Sequence, residues 1–162
     1  MKPDSPPASP GMNPEELKAF LLGGWQLRSY VLSNVVDGSV RHPLGRFPLG
    51  RLVYTADDQM GVQIMDCRPS TDPTGPAESV GVVGGYLAYS GTYQTQPGAI
   101  VRHFPVVSNY GNWVGSELSR RVQRQSFDEM ELVTSQPVVE HGARFMGLIQ
   151  WRRASSLPSL TF

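Results

Sequence analysis

A chain of 162 residues with 14 basic and 14 acidic side chains fits a single domain around one core, and it lacks the one-sided positive field that nucleic acid or an anionic membrane selects. Cys67 is the sole cysteine, which excludes an intramolecular disulfide, and no apolar run approaches the roughly 20 residues that span a bilayer. Nothing at the N-terminus combines a basic segment with an apolar one, so the expectations are a cytoplasmic location, no membrane insertion and no nucleic-acid partner.

Glycine (17) and proline (14) recur between short apolar runs without a fixed period, the pattern of many short strands linked by turns, and they point to an all-β class. Residues 1–12 hold four prolines and few apolar side chains, and they read as a disordered tail. Asn13-Pro14-Glu15-Glu16 then starts a helix, with Asn13 as N-cap, Pro14 in the first turn and Glu16 placed to accept from the cap. Leu17, Phe20 and Leu21 share one face of it, and Gly23-Gly24 stops it, giving a short amphipathic plug for a core.

From Trp25 the period becomes two. WQLRSYVLSNVV reads as a long strand, Asp37-Gly38 as a two-residue hairpin turn, and SVRHP as a return broken by Pro43. RLVYT and QMGVQIM flank a turn at Ala56-Asp57-Asp58. Residues 68–81 are too rich in Pro, Ser and Thr for a hairpin and read as a crossing segment, with a helical turn near residues 76–80. Residues 85–115, GYLAYSGTYQTQPGAIVRHFPVVSNYGNWVG, form the clearest hairpin, turning at Gln96-Pro97-Gly98. GSELSRRVQRQSF and MELVTS pair around Asp128-Glu129. ARFMGLIQWRR is the last strand, and residues 154–162 are left as a tail. Eight main strands joined in sequence favour an up-and-down antiparallel barrel over residues 13–153, because closure removes both sheet edges. Eight strands enclose room for side chains or one small ligand.

Several stretches in this order resemble the lipocalin-like domain family of small bacterial and fungal proteins: GGWQLRSY, HPLGRFPLGRLVYTADDQMGVQIM, GYLAYSGTYQ, NWVGSELSRR and a closing IQWRR. Gly23-Gly24-Trp25 matches the Gly-x-Trp that opens the first strand of lipocalins. The resemblance implies that Trp25 sits at a closed end with a late-strand arginine across it. Arg152 or Arg153 is positioned for this, with Arg120 or Arg121 as substitutes, and Trp25 and its arginine are classed as structural. Where members of the family often carry a His pair, this chain has Arg102-His103.

His103 is the one histidine inside a confident strand; His42 and His141 lie at turns. Alternation puts Val101, His103 and Pro105 on one face and Arg102 and Phe104 on the other, so either His103 or Arg102 points inward, but not both. An inward Arg102 would need a carboxylate such as Glu117 or an anionic ligand. The reading favours His103 inside, bonded to a tyrosine or to backbone. Tyr54, Tyr89 and Tyr93, with Met60, Met65, His103, Trp113 and Phe145, are the candidate lining of a mostly apolar pocket with a few polar handles. No His-x-His, His-Glu-x-x-His or Gly-x-Ser-x-Gly spacing occurs, so no metal and no cofactor is expected. The leading functional expectation is a carrier or sensor of a small apolar or amphipathic molecule. The alternative is an isomerase or cyclase of secondary metabolism, with His103 as general acid or base and Tyr54 or Tyr89 polarising a carbonyl. A third is a self-filled barrel that acts as an interaction module.

Overall fold

The computed structural model describes residues 11–67 and 84–154. Chain order is α1 (Pro14–Leu21), β1 (Gly23–Asn34), β2 (Val40–Arg41), β3 (Leu49–Tyr54), β4 (Gln59–Met65), β5 (Tyr86–Gln96), β6 (Ile100–Ser108), a 3₁₀ turn (Gly111–Trp113), β7 (Leu118–Arg124), β8 (Glu129–Thr134), β9 (Val138–Glu140) and β10 (Ala143–Arg153). Strands β1, β3–β8 and β10 pair antiparallel in succession, and β1 pairs with β10 to close an eight-stranded up-and-down barrel. The two-residue β2 and three-residue β9 extend β1 and β10 at one rim. Residues 1–10, 68–83 and 155–162, which include the expected crossing segment and most of both expected tails, lie outside the described residues.

The helix forms as its capping chemistry dictates. The Asn13 side-chain oxygen accepts from the Glu16 amide (2.9 Å), while the Glu16 carboxylate takes the Asn13 side-chain NH₂ (2.8 Å) instead of the cap backbone. Leu17, Phe20 and Leu21 are buried. Thr95 donates to the Pro14 carbonyl (2.8 Å) and Lys18 pairs with Asp58 (2.6 Å), so α1 lies across the end where the β3–β4 and β5–β6 turns meet.

Trp25 anchors that closed end. Its indole N–H donates to the Leu21 carbonyl (2.9 Å), and Phe20 meets it edge to face at 5.4 Å. The arginine across it is Arg153, whose guanidinium lies 4.4 Å from the ring centroid and donates to the carbonyls of Phe20 (2.7 Å), Leu22 (3.3 Å) and Phe127 (3.1 Å). Arg152 is exposed, which corrects its assignment to this role. The reason is parity: Trp25 pairs with Arg153 across the β1–β10 seam, and Trp151 shares Arg153's inward face.

One turn and one strand position depart from a regular pattern. The first strand ends at Asn34, not Val36, because the Asn34 side chain accepts from the Val36 amide (2.8 Å) and diverts the backbone into a longer loop than a two-residue hairpin. That loop closes through Asn34 N–H to Ser39 O (2.8 Å), with Gly38 at φ 72°. Gly91 sits at a β-bulge where the Phe104 carbonyl occupies the place a Cβ would take, so the close backbone approach requires glycine there.

Replacing Arg153 with Met should lower the stability measured by urea unfolding by about 1–3 kcal/mol, since its contacts over the Phe20, Trp25 and Phe127 rings and three hydrogen bonds to carbonyls are lost. Arg152→Met should stay within about 0.5 kcal/mol of the parent. Equal effects of the two would contradict the seal described here.

Candidate functional site

The interior divides into two halves. Toward α1, Tyr54, Met60, Tyr93, Val122 and Met130 pack solidly beneath Trp25. Tyr93 meets Tyr54 edge to face at 4.8 Å and donates its hydroxyl to the Thr55 carbonyl (2.8 Å). Toward the opposite end lies a cavity lined mainly by Leu and Val side chains together with Tyr30, Tyr89, His103, Trp113, Arg120, Ile149 and Trp151. Its free space is small, about 40 Å³ open to the centre of a water molecule. That holds water, not a drug-sized ligand.

His103 joins the halves. It is 1% exposed, its Nε2 lies 2.8 Å from the Tyr54 hydroxyl, and its Nδ1 lies 2.7 Å from the Tyr89 hydroxyl. Arg102 points the other way, half-exposed and 3.0 Å from Glu117, so the choice between the two is resolved with His103 inside. Burial first, and the Arg120 charge second, push the imidazole down to about 3, and it is therefore neutral at ordinary pH. Burial raises both phenols, with the Arg120 charge opposing it.

Hydrogen-bond accounting then fixes the tautomer. Tyr54 is buried among apolar groups and His103 is its hydrogen-bond partner among the described residues. If Tyr54 accepted from His103, its own proton would be stranded in the core at a cost of about 1–3 kcal/mol. Tyr54 therefore donates to Nε2, and Nδ1–H donates to Tyr89. Tyr89 Oη, already accepting, is left with its own O–H to direct into the cavity.

Of the remaining candidates, Trp113 stands in the cavity mouth, half-buried, in edge-to-face contact with Tyr89 (5.5 Å) and Tyr110 (5.7 Å). Tyr54, Met60 and Tyr93 belong to the packed half and do not line the cavity. Met65 is turned outward, 39% exposed; it lies five residues from inward Met60, and a regular strand cannot turn both the same way. Phe145 is buried in the rim under Arg41, whose guanidinium is 5.2 Å from its ring, and does not reach the cavity either.

Arg120 was not singled out as a cavity residue by the sequence reading, although the signal was present. In LSRRVQR, Leu118 and Val122 share the inward face, which carries Arg120 with them. Its register partners Val101 and Thr134 are both buried. Its charge acts on Tyr30, Tyr54, Tyr89 and His103 alike. Among the described residues it makes no ion pair, and its recorded hydrogen bond goes to the Ser119 carbonyl (3.0 Å). The indole N–H of Trp151, fully enclosed at the cavity wall, also lacks a partner.

Among the described residues no group of three or more His, Cys, Asp or Glu can hold a metal ion, and no helix is long and apolar enough to cross a membrane. The sequence profile of the lipocalin-like domain matches residues 22–154, and the chain belongs to that family. No curated protein matches the chain significantly. Solved structures with a similar course include a redesigned β-barrel (12% identity, TM-score 0.42, 90% of this chain and 99% of that one). A de novo designed fluorescence-activating β-barrel follows (14%, 0.42, 85% and 96%). The siderocalin Ex-FABP, described as functioning through dual ligand specificities, is a third (11%, 0.38, 86% and 74%).

The depressed His103 basicity has a consequence for stability. The unfolded chain takes up the proton near the ordinary value of 6.5, the folded one near 3, so stability is full above pH 6.5 and falls as pH drops toward 3. Between pH 7 and pH 5 the loss from this group should be about 2 kcal/mol in urea unfolding, and His103→Gln should remove most of that slope. An unchanged slope would mean that the imidazole is not held neutral by the fold.

Proposed function

We propose that the protein binds one small, largely apolar molecule inside the barrel, entering past Trp113. The observation that carries this is the Trp151 N–H, which has no partner among the described residues, in the wall of a mostly apolar cavity. A buried donor without a partner costs about 1–3 kcal/mol, a cost that a bound molecule offering an acceptor relieves. The site lies in the half away from the α1 plug, where the wall is rimmed by the 3₁₀ turn. Because the closed cavity is so small, binding requires Trp113 to move out, and the rings of Tyr89 and Tyr110 are the contacts it gives up.

The same small volume favours a second reading, a barrel filled by its own side chains that works through its surface. The proton-transfer alternative is weaker at His103, since both ring nitrogens are already bonded and a ligand would meet Tyr89 instead. An imidazole pushed down to about 3 is also a poor base at neutral pH.

Titration with the uncharged fluorophore N-phenyl-1-naphthylamine should give saturable binding near one per chain, with quenching of tryptophan emission. Trp113→Ala should bind it more tightly, because the closed state no longer competes. Absence of saturable binding to either protein would leave the self-filled reading.

A further inference from the structure

We propose that the cavity's ligand is an organic anion, an apolar body ending in a carboxylate or equivalent oxyanion, and that Arg120 is its anchor with Tyr89 as the second donor. The inference rests on the cavity-binding reading above and adds the chemistry of the ligand's head.

The argument is one of inventory. Arg120 faces inward from β7 between buried Val101 and Thr134, and among the described residues no carboxylate pairs with it. Glu140, the buried carboxylate of the rim strand β9, is already taken by Arg41 at 3.1 Å, and Glu117 by Arg102 on the outer face. The hydroxyl of Tyr89 has its acceptor side used by His103, so what it offers the cavity is a proton. Trp151 can only donate, and its N–H is unspent. Of the two other hydroxyls in the wall, Thr134 already accepts from the Gly147 amide (2.9 Å), and Tyr30, a phenol that burial pushes up to about 12, keeps a proton to donate.

The polar content of the cavity is therefore a guanidinium and neutral donors, with no carboxylate. A cation would meet like charge. Arg120 is itself half-buried, and a neutral apolar ligand packed over it would desolvate the guanidinium further without pairing it. An oxyanion satisfies Arg120 through its planar fork and takes the Tyr89 proton as a charge-assisted bond. The neutrality of His103 fits this arrangement, because a second positive charge beside Arg120 is avoided while Tyr89 stays oriented.

The test displaces bound N-phenyl-1-naphthylamine with decanoate or with 1-decanol, two competitors of equal chain length that differ in the head group. The wild-type protein should prefer decanoate by at least about tenfold, the return on one charge-assisted contact. Arg120→Met and Arg120→Gln should bring the two competitors within about threefold of each other, read as the ratio of their displacement constants in each variant. Arg121→Gln, which alters the exposed neighbour on the same strand, should keep the full preference. Equal displacement by both competitors in the wild type overturns the anion anchor and leaves cavity binding standing. So does a preference that survives both Arg120 substitutions. Loss of fluorophore binding in both variants would make Arg120 a structural residue and would also overturn the proposal. Failure of the wild type to bind the fluorophore would overturn the cavity reading, and the anchor with it.

Discussion

Closure of the sheet between β1 and β10 is the constraint on which the rest depends. The seam runs over nine residue pairs, from Trp25 opposite Arg153 to Asn34 opposite Phe145, and absorbs one irregularity between Leu27 and Ser29. Closing it leaves no unpaired edge along the wall and commits alternate side chains to the inside. It also brings Trp25 and Arg153 face to face beside α1, where the arginine's donors meet carbonyls at the end of the helix. One end is thereby sealed with tertiary hydrogen bonds. At the other end the described residues place the short 3₁₀ turn, one partly buried tryptophan and the rim strands β2 and β9.

Inside, polar groups are arranged in order of depth. Tyr54 and His103 are deepest and satisfied by one another, a neutral pair that costs little once each donor has an acceptor. Tyr89 is intermediate, satisfied on its acceptor side only. Arg120 and Trp151 carry donors with fewer partners than they can take. The gradient from satisfied to unsatisfied runs away from the α1 end, into the half that holds the cavity. Core packing alone would produce no such gradient, since an apolar residue at position 120 would fill the same wall without desolvating a charge.

Much of this was legible in the chain. The N-cap sequence Asn13-Pro14-Glu15-Glu16, the Pro97-Gly98 turn and the alternation through Val101, His103 and Pro105 are local chemistry, and each leaves its mark in residue types. The barrel followed from counting strands and asking what happens to the edges. What was lost came from using composition where parity was required. Met65 and Phe145 entered the candidate pocket as apolar residues of suitable type, although Met65 and Met60 stand an odd number of residues apart. Arg152 and Arg153 remained alternatives because the seam register, not the local sequence, decides between them. β9 escaped notice because three residues carry too little pattern to separate from the turn that precedes them. Asn34 ended its strand through a side-chain bond to the backbone that competes with the ladder, and nothing in a β-branched Val35-Val36 announces it.

The most informative misreading concerns charge. The question put to the sequence was whether His103 or Arg102 faces inward, as though the hairpin alone set the polarity of the cavity. The facing strand supplies its own answer: β7 carries Arg120 inside by the same alternation that keeps Arg102 out on β6. A neutral imidazole and an inward guanidinium are therefore both present, and they are linked. Arg120 helps keep His103 unprotonated, and an unprotonated His103 with its proton on Nδ1 leaves the Tyr89 O–H to donate into the cavity. Each element makes the other's state less costly, so the polar character of the site belongs to the pair of strands and cannot be assigned to either one.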